Sequence, residues 1–172
     1  MLVMLDKLPP KHALISIDEY VPFSIDFYEN QLADIYWRCG NGQTSLLELG
    51  LSNKGEVINI TLVSINSHNI FKNNSNFNNL FPFENFLPKF DVSDWNVKSE
   101  DYSSIFKDDF NYQLKLVVGL DYLELIFLNV QKSIHYFKNE KICFGINSAK
   151  ELSSIQLINI SQEDIELIKS NF

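Results

Sequence analysis

Apolar and polar residues alternate along most of this chain with the two-residue period of a β-strand. Residues 12–18 alternate around Leu14 and Ile15, and residues 23–28 as Phe23, Ile25 and Phe27. Residues 31–38 carry Leu32, Ile35, Tyr36 and Trp37, an aromatic content suited to a sheet packed on at least one face. Asn41-Gly42 then marks a turn, because both residues tolerate positive φ. Residues 45–51 and 57–65 read as antiparallel partners joined by a tight turn at Asn53-Lys54-Gly55. The second half repeats the style, with strands predicted at 112–118, 122–130, 133–137, 142–146 and 152–160. Asn139-Glu140 and Asn147-Ser148 supply turns there.

The alternation fails in the middle. Asn69, Asn73, Asn74, Asn76, Asn78 and Asn79 lie close together without periodicity. Asparagine side chains compete for backbone hydrogen bonds, so a surface loop is expected. Phe81-Pro82-Phe83 and Leu87-Pro88 anchor the chain apolarly without permitting a long regular element. Tyr102, Ile105, Phe106 and Asp109 fall at helical spacing and predict a short amphipathic helix over 99–109. A second short helix is predicted at the end, with Ser161 as N-cap and Asp164 as its capping-box partner.

The hairpin at 47–65 can be laid on 142–160 residue for residue. Gly50 falls on Gly145, Glu56 on Glu151, Ile60 on Ile155 and Leu62 on Leu157. The preceding strands, around Ile35-Tyr36-Trp37 and Leu125-Ile126-Phe127, match if a few residues are inserted. Any two amphipathic hairpins share alternation, but matching glycine, glutamate and turn length goes further. The expected fold is α+β and mostly antiparallel, with eight to ten strands in a half-barrel or sandwich and two short helices. It is read as a single domain over 1–172, with pseudo-repeat halves 20–66 and 112–161 joined by the Asn-rich loop and an acidic-aromatic segment.

Composition narrows the function classes. Fourteen basic residues stand against 22 acids, a formal net charge of -8 that repels polyphosphate and disfavours nucleic-acid binding. Arg38 is the sole arginine, so bidentate phosphate recognition is poorly supplied. The apolar run at Met1 to Leu5 is shorter than the roughly 7–15 residues of a signal core, and no stretch approaches the 20 of a membrane span. A cytoplasmic protein without membrane association is expected. Cys39 and Cys143 show no metal or redox spacing; two free thiols are expected, with one buried bridge as the alternative.

Catalytic signatures are missing. No nucleophile elbow, phosphate loop, dinucleotide fingerprint or zinc motif occurs, and His12, His68 and His135 are dispersed. Neither enzymatic activity nor a cofactor or metal is expected. The acid pairs Asp18-Glu19, Glu100-Asp101, Asp108-Asp109 and Glu163-Asp164 are sequence neighbours whose side chains point apart, unlike a carboxylate pair across a cleft.

Residues 91–112 hold six acids (Asp91, Asp94, Glu100, Asp101, Asp108 and Asp109) against two lysines, interleaved with Trp95, Tyr102, Phe106, Phe110 and Tyr112. Acids mixed with aromatics suit a docking face for a basic protein, the rings as anchors and the field as guide. The candidate contact residues are Asp94, Trp95, Glu100, Asp101, Tyr102, Asp108 and Asp109. The competing reading buries Trp95, Phe106 and Phe110 over one end of the sheet and leaves the acids merely solvated.

From Tyr36 to Asn66 the chain reads YWRCGNGQTSLLELGLSNKGEVINITLVSIN: a tryptophan strand, a polar turn, a strand running into glycine, then Lys54-Gly55-Glu56 and an isoleucine-rich strand. This arrangement resembles bacterial immunity proteins of contact-dependent inhibition and related polymorphic-toxin systems, over about a third of the chain. The resemblance implies a cytosolic antidote, without enzymatic activity, that binds the C-terminal domain of a cognate toxin and occludes its active site. A basic nuclease is the toxin class that matches the acidic charge. The alternative function is a ligand-binding β module with an aromatic-lined pocket between the halves.

Overall fold

The computed structural model describes residues 1–28, 31–78, 82–98 and 100–171. Asn79, Phe81 and Ser99, assigned above to the loop, the apolar anchor and the start of a helix, lie outside the described residues. Fifteen strands in three sheets, mostly antiparallel, and one α-helix are found among those described. The strands outnumber the eight to ten expected, and the helices are fewer.

The first large sheet is built from β2 (Leu14–Ser16), β3 (Phe23–Asp26), β4 (Ile35–Gly40), β5 (Leu46–Leu51) and β6 (Val57–Ser64). The second uses β11 (Leu114–Val118), β12 (Tyr122–Phe127), β13 (His135–Asn139), β14 (Ile142–Ile146) and β15 (Leu152–Ile158). In the first sheet the order is β4-β5-β6-β3-β2, and in the second β13-β14-β15-β12-β11. These are one order, and the registers agree as well. Leu51 opposes Val57 as Ile146 opposes Leu152, and Gly50 opposes Asn59 as Gly145 opposes Ser154. A β-bulge falls at the same place in both, leaving Ile58 and Ser153 as the extra residues. Tyr36 lies opposite Gly50, and Tyr136 opposite Gly145. The strand equivalent to β4 is therefore β13, not the 125–127 stretch: those residues belong to β12, which occupies the position of β3 beside β15.

The remaining strands come from segments in which the sequence predicts no strand, β10 falling within the helix expected over 99–109. β8 (Phe83–Glu84) runs parallel to β13, and β10 (Phe106–Asp109) runs parallel to β4 at the corresponding edge. β7 (Ile70–Lys72) lies parallel beside β11. β1 (Met4–Leu8) and β9 (Leu87–Phe90) pair as a two-stranded ribbon touching both sheets. Val3 bridges to Glu151 at the start of β15, and Lys89 bridges to Glu56 at the start of β6.

The predicted helix over 99–109 is not formed. Residues Tyr102–Ile105 make a single 3-10 turn capped by Asp101, and the chain then extends into β10. The helical spacing was coincidental: Phe106 needs an extended backbone to stack on Tyr36, its partner across the sheet, at 5.5 Å. The terminal helix α1 (Gln162–Asn171) does form, with Ser161 and Asp164 bonded reciprocally at 2.7 and 3.1 Å. Ile165 and Ile168, one turn apart, face the core.

One continuous apolar core joins the two sheets. Trp37 meets Phe127 of the other sheet at 6.0 Å between ring centroids, and Phe27 meets Phe144 at 6.4 Å. These rings pack in pairs between the two sheets. Cys39 is in this core, whereas Cys143 belongs to a small cluster with Tyr122 and Ile158 on the far face of the second sheet. Both are free and buried, so the bridge is not made. Burial pushes each thiol up to about 12, with Asp109 adding to the shift at Cys39. Only the thiolate attacks, so Ellman's reagent at pH 8 is expected to titrate no thiol in the native protein and two after denaturation. Fast labelling of either cysteine in the folded state would contradict this burial.

Candidate functional site

The acidic-aromatic segment borders the open side of the first sheet, where β10 is the edge strand. Its acids divide into two groups. Asp108 and Asp109 are engaged internally. Asp108 takes a bidentate ion pair from Arg38 on the neighbouring strand, at 2.6 and 2.9 Å. Asp109 Oδ2 accepts from the Trp37 indole at 2.7 Å and from the Met1 amino group at 2.6 Å. Burial pushes the Asp109 carboxyl up, but these two donors outweigh it and hold the group below the usual carboxylate range.

Asp94, Glu100 and Asp101 are exposed. Asp101 is also the cap of the 3-10 turn, accepting from Ser103 N at 3.0 Å and Ser103 Oγ at 2.6 Å. Asp91, likewise exposed, accepts from Ser93 and is held low by that bond.

The rings form a short ladder on the outer face. Tyr36 stacks on Phe106, Tyr102 meets Phe106 edge-on at 5.7 Å, and the Arg38 guanidinium lies over Phe106 at 4.3 Å. Tyr102 is 76% exposed and Phe110 40%. Trp95 differs from both: it is half-buried against the core, with Lys107 Nζ over its ring at 5.1 Å. Its indole nitrogen is buried with no partner among the described residues.

Of the seven candidate contact residues, then, Asp94, Glu100, Asp101 and Tyr102 are presented to solvent. Asp108 and Asp109 hold β10 in place, and Trp95 anchors the loop. Phe110, absent from the sequence-based set, joins the exposed group; Asp108 is also exposed although paired, and its partner Arg38 is half-buried. The only signal for Arg38 in the sequence is that it is the sole arginine among 22 acids. Its partner being Asp108 required the parallel pairing of β10 with β4, which no local pattern encodes.

No metal-binding group of three or more His, Cys, Asp or Glu occurs among the described residues. Nor, among them, is any helix long and apolar enough to cross a membrane. Comparison with protein-family models and with curated proteins finds no match for this chain.

Proposed function

We propose that this protein is an antidote that binds the C-terminal domain of a cognate toxin in the cytoplasm and occludes its active site, without catalysing a reaction. The observation that carries the reading is the surface around β10. An ion pair and an aromatic ladder there are fixed by the sheet, and Asp94, Glu100, Asp101 and Tyr102 are exposed around them. Tyrosine and arginine are the residue types that dominate interface energies, and a rim of uncompensated acids steers a basic partner into register. The net charge of -8 and the immunity-like hairpin point the same way. A basic nuclease domain fits that charge best.

Co-expression with the C-terminal toxin domain encoded immediately upstream on the source chromosome tests the antidote role through rescue of growth and a co-purifying complex. A toxic domain that is neither rescued nor bound would overturn it. Tyr102→Ala is expected to weaken the complex about 10- to 100-fold, mainly through faster dissociation. The triple change Asp94→Asn, Glu100→Gln and Asp101→Asn is expected to slow association and flatten its salt dependence. Unchanged kinetics in both variants would place the contact surface elsewhere.

A further inference from the structure

The two sheets share one register, so each position in one has a counterpart that shows what the fold itself requires. At the bulge the first sheet carries Ala33, Ile58 and Asn59 around Gly50. The second carries Ser133, Ser153 and Ser154 around Gly145. The three hydroxyls converge: Ser133 Oγ lies 2.7 Å from Ser153 Oγ and 3.0 Å from Ser154 Oγ. A Cβ at Gly145 would intrude on Ser133 and Ser154, so the bare glycine is what lets them meet. Ser153 and Ser154 are both 3% exposed. Since the first sheet builds the same bulge without hydroxyls, stability of the fold does not account for the cluster.

These serines floor a pocket of about 530 Å³ on the outer face of the second sheet, within the size range of small-molecule sites. Its walls include Ile126, Leu128 and Tyr136, with Glu124 on one side and the exposed Lys132 along the lining. Glu124 is half-buried and accepts from Gln156 Nε2 at 2.8 Å, but it has no ion pair among the described residues. The carbonyl oxygen of the same Gln156 amide is buried with no hydrogen-bond partner among the described residues, and Gln156 is 5% exposed overall. Buried polar atoms are satisfied almost everywhere in proteins, so an orphan acceptor beside an unpaired carboxylate is a local surplus of negative potential.

We propose that this pocket binds a small organic ammonium group. The charge sits against Glu124, the self-bonded serine cluster forms the polar floor beside it, and an alkyl portion covers Ile126 and Leu128. A carboxylate in a partly dry site gains most from a cation, and a neutral hydroxyl cannot replace that attraction.

The test titrates the whole chain, at pH 7 and 150 mM salt, with butylammonium and with its neutral isostere butanol, following backbone amide shifts by NMR. The expected result is saturable binding of butylammonium at least ten-fold tighter than butanol. Its shifts should centre on Glu124, Gly145 and Ser154. Glu124→Gln, which keeps the shape and a partner for Gln156, should abolish the preference for the amine. Equal affinity for the two probes, shifts centred elsewhere, no saturation by the amine, or a preference that survives Glu124→Gln in a folded variant would each overturn the proposal. The shift map on the unaltered protein keeps the test decisive if that variant fails to fold.

Discussion

Trp37→Ala is expected to destabilise the protein by about 4 kcal/mol, within the range for truncating a large buried aromatic. Three parts of the fold meet at this side chain. It is fully buried on β4, its ring meets Phe127 of the opposite sheet, and its indole nitrogen donates to Asp109 on β10. Alanine removes the contact between sheets and leaves the partly buried Asp109 carboxylate short of a donor, the latter accounting for roughly 1 kcal/mol or more of that total. A domain of this size has roughly 5–15 kcal/mol in total, so the variant should sit near the limit of folding. A melting point lower by about 8–16 °C is expected, since each kcal/mol shifts it by roughly 2–4 °C. Urea denaturation at unchanged m-value measures the loss directly. Trp37→Phe separates the contributions: it keeps most of the packing, loses the indole donor, and should fall between the two. A cost below about 1.5 kcal/mol for the alanine variant would contradict the described packing.

Gly55→Ala is expected to cost about 2–4 kcal/mol despite adding a single methyl group. Gly55 has φ 82°, where a Cβ is disfavoured by roughly 1–2 kcal/mol. That Cβ would also be driven into the carbonyl of Phe90, whose own N–H donates to the Gly55 carbonyl at 2.8 Å. The ribbon strand β9 must then pull away from the first sheet or the turn must unwind. The second sheet has a matching turn, in which Met4 N donates to the Lys150 carbonyl at 2.7 Å and Lys150 has φ 62°. A side chain is accommodated there. Lys150→Gly is accordingly expected to be neutral or to stabilise by up to about 1 kcal/mol, relief of backbone strain being offset by the entropy of glycine. Opposite responses of the two turns in parallel denaturation experiments are the expected signature. A tolerated Gly55→Ala would mean that β9 does not approach the turn as closely as described.

What could be read from the chain was what neighbouring residues decide. The hairpins around Gly50 and Gly145 were legible because their strands are long, alternate cleanly and are joined by turns of fixed chemistry. Even the equivalence of the two glycines followed from spacing alone. The terminal helix was legible because Ser161 and Asp164 form a local box. The strands β1, β7, β8, β9 and β10 were not. They are two to five residues long, too short for periodicity, and each is held by a partner distant in the chain. Phe106–Asp109 shows the limit most clearly: helical spacing of apolar residues over one turn gives way to a parallel register with Tyr36–Cys39. The candidate surface suffered for the same reason. Exposure of Glu100 and Tyr102 could be anticipated from composition, but diversion of Asp108 to Arg38 and Asp109 to Trp37 depends on that register. The serine cluster at the second bulge was missed because Ser153 and Ser154 should face opposite ways on a regular strand. The extra residue in the ladder turns both toward Ser133.

The ribbon of β1 and β9 has a consequence for how the chain is made. Leu2 and Val3 contact residues 151 and 152, so this segment must wait for a turn made about 150 residues later. At about 5–20 residues per second, the delay is on the order of ten seconds. Over that interval Leu2 lacks its partner at residue 152, although β10 is made in time to cover the edge of β4. The β5–β6 hairpin can close early, but the first sheet cannot be finished before the linker between the halves is made. Nascent chains released shortly before residue 151 would therefore lack β15 between β12 and β14 and leave the apolar residues around Leu2 unplaced. Such chains are the species on which a holding chaperone would act.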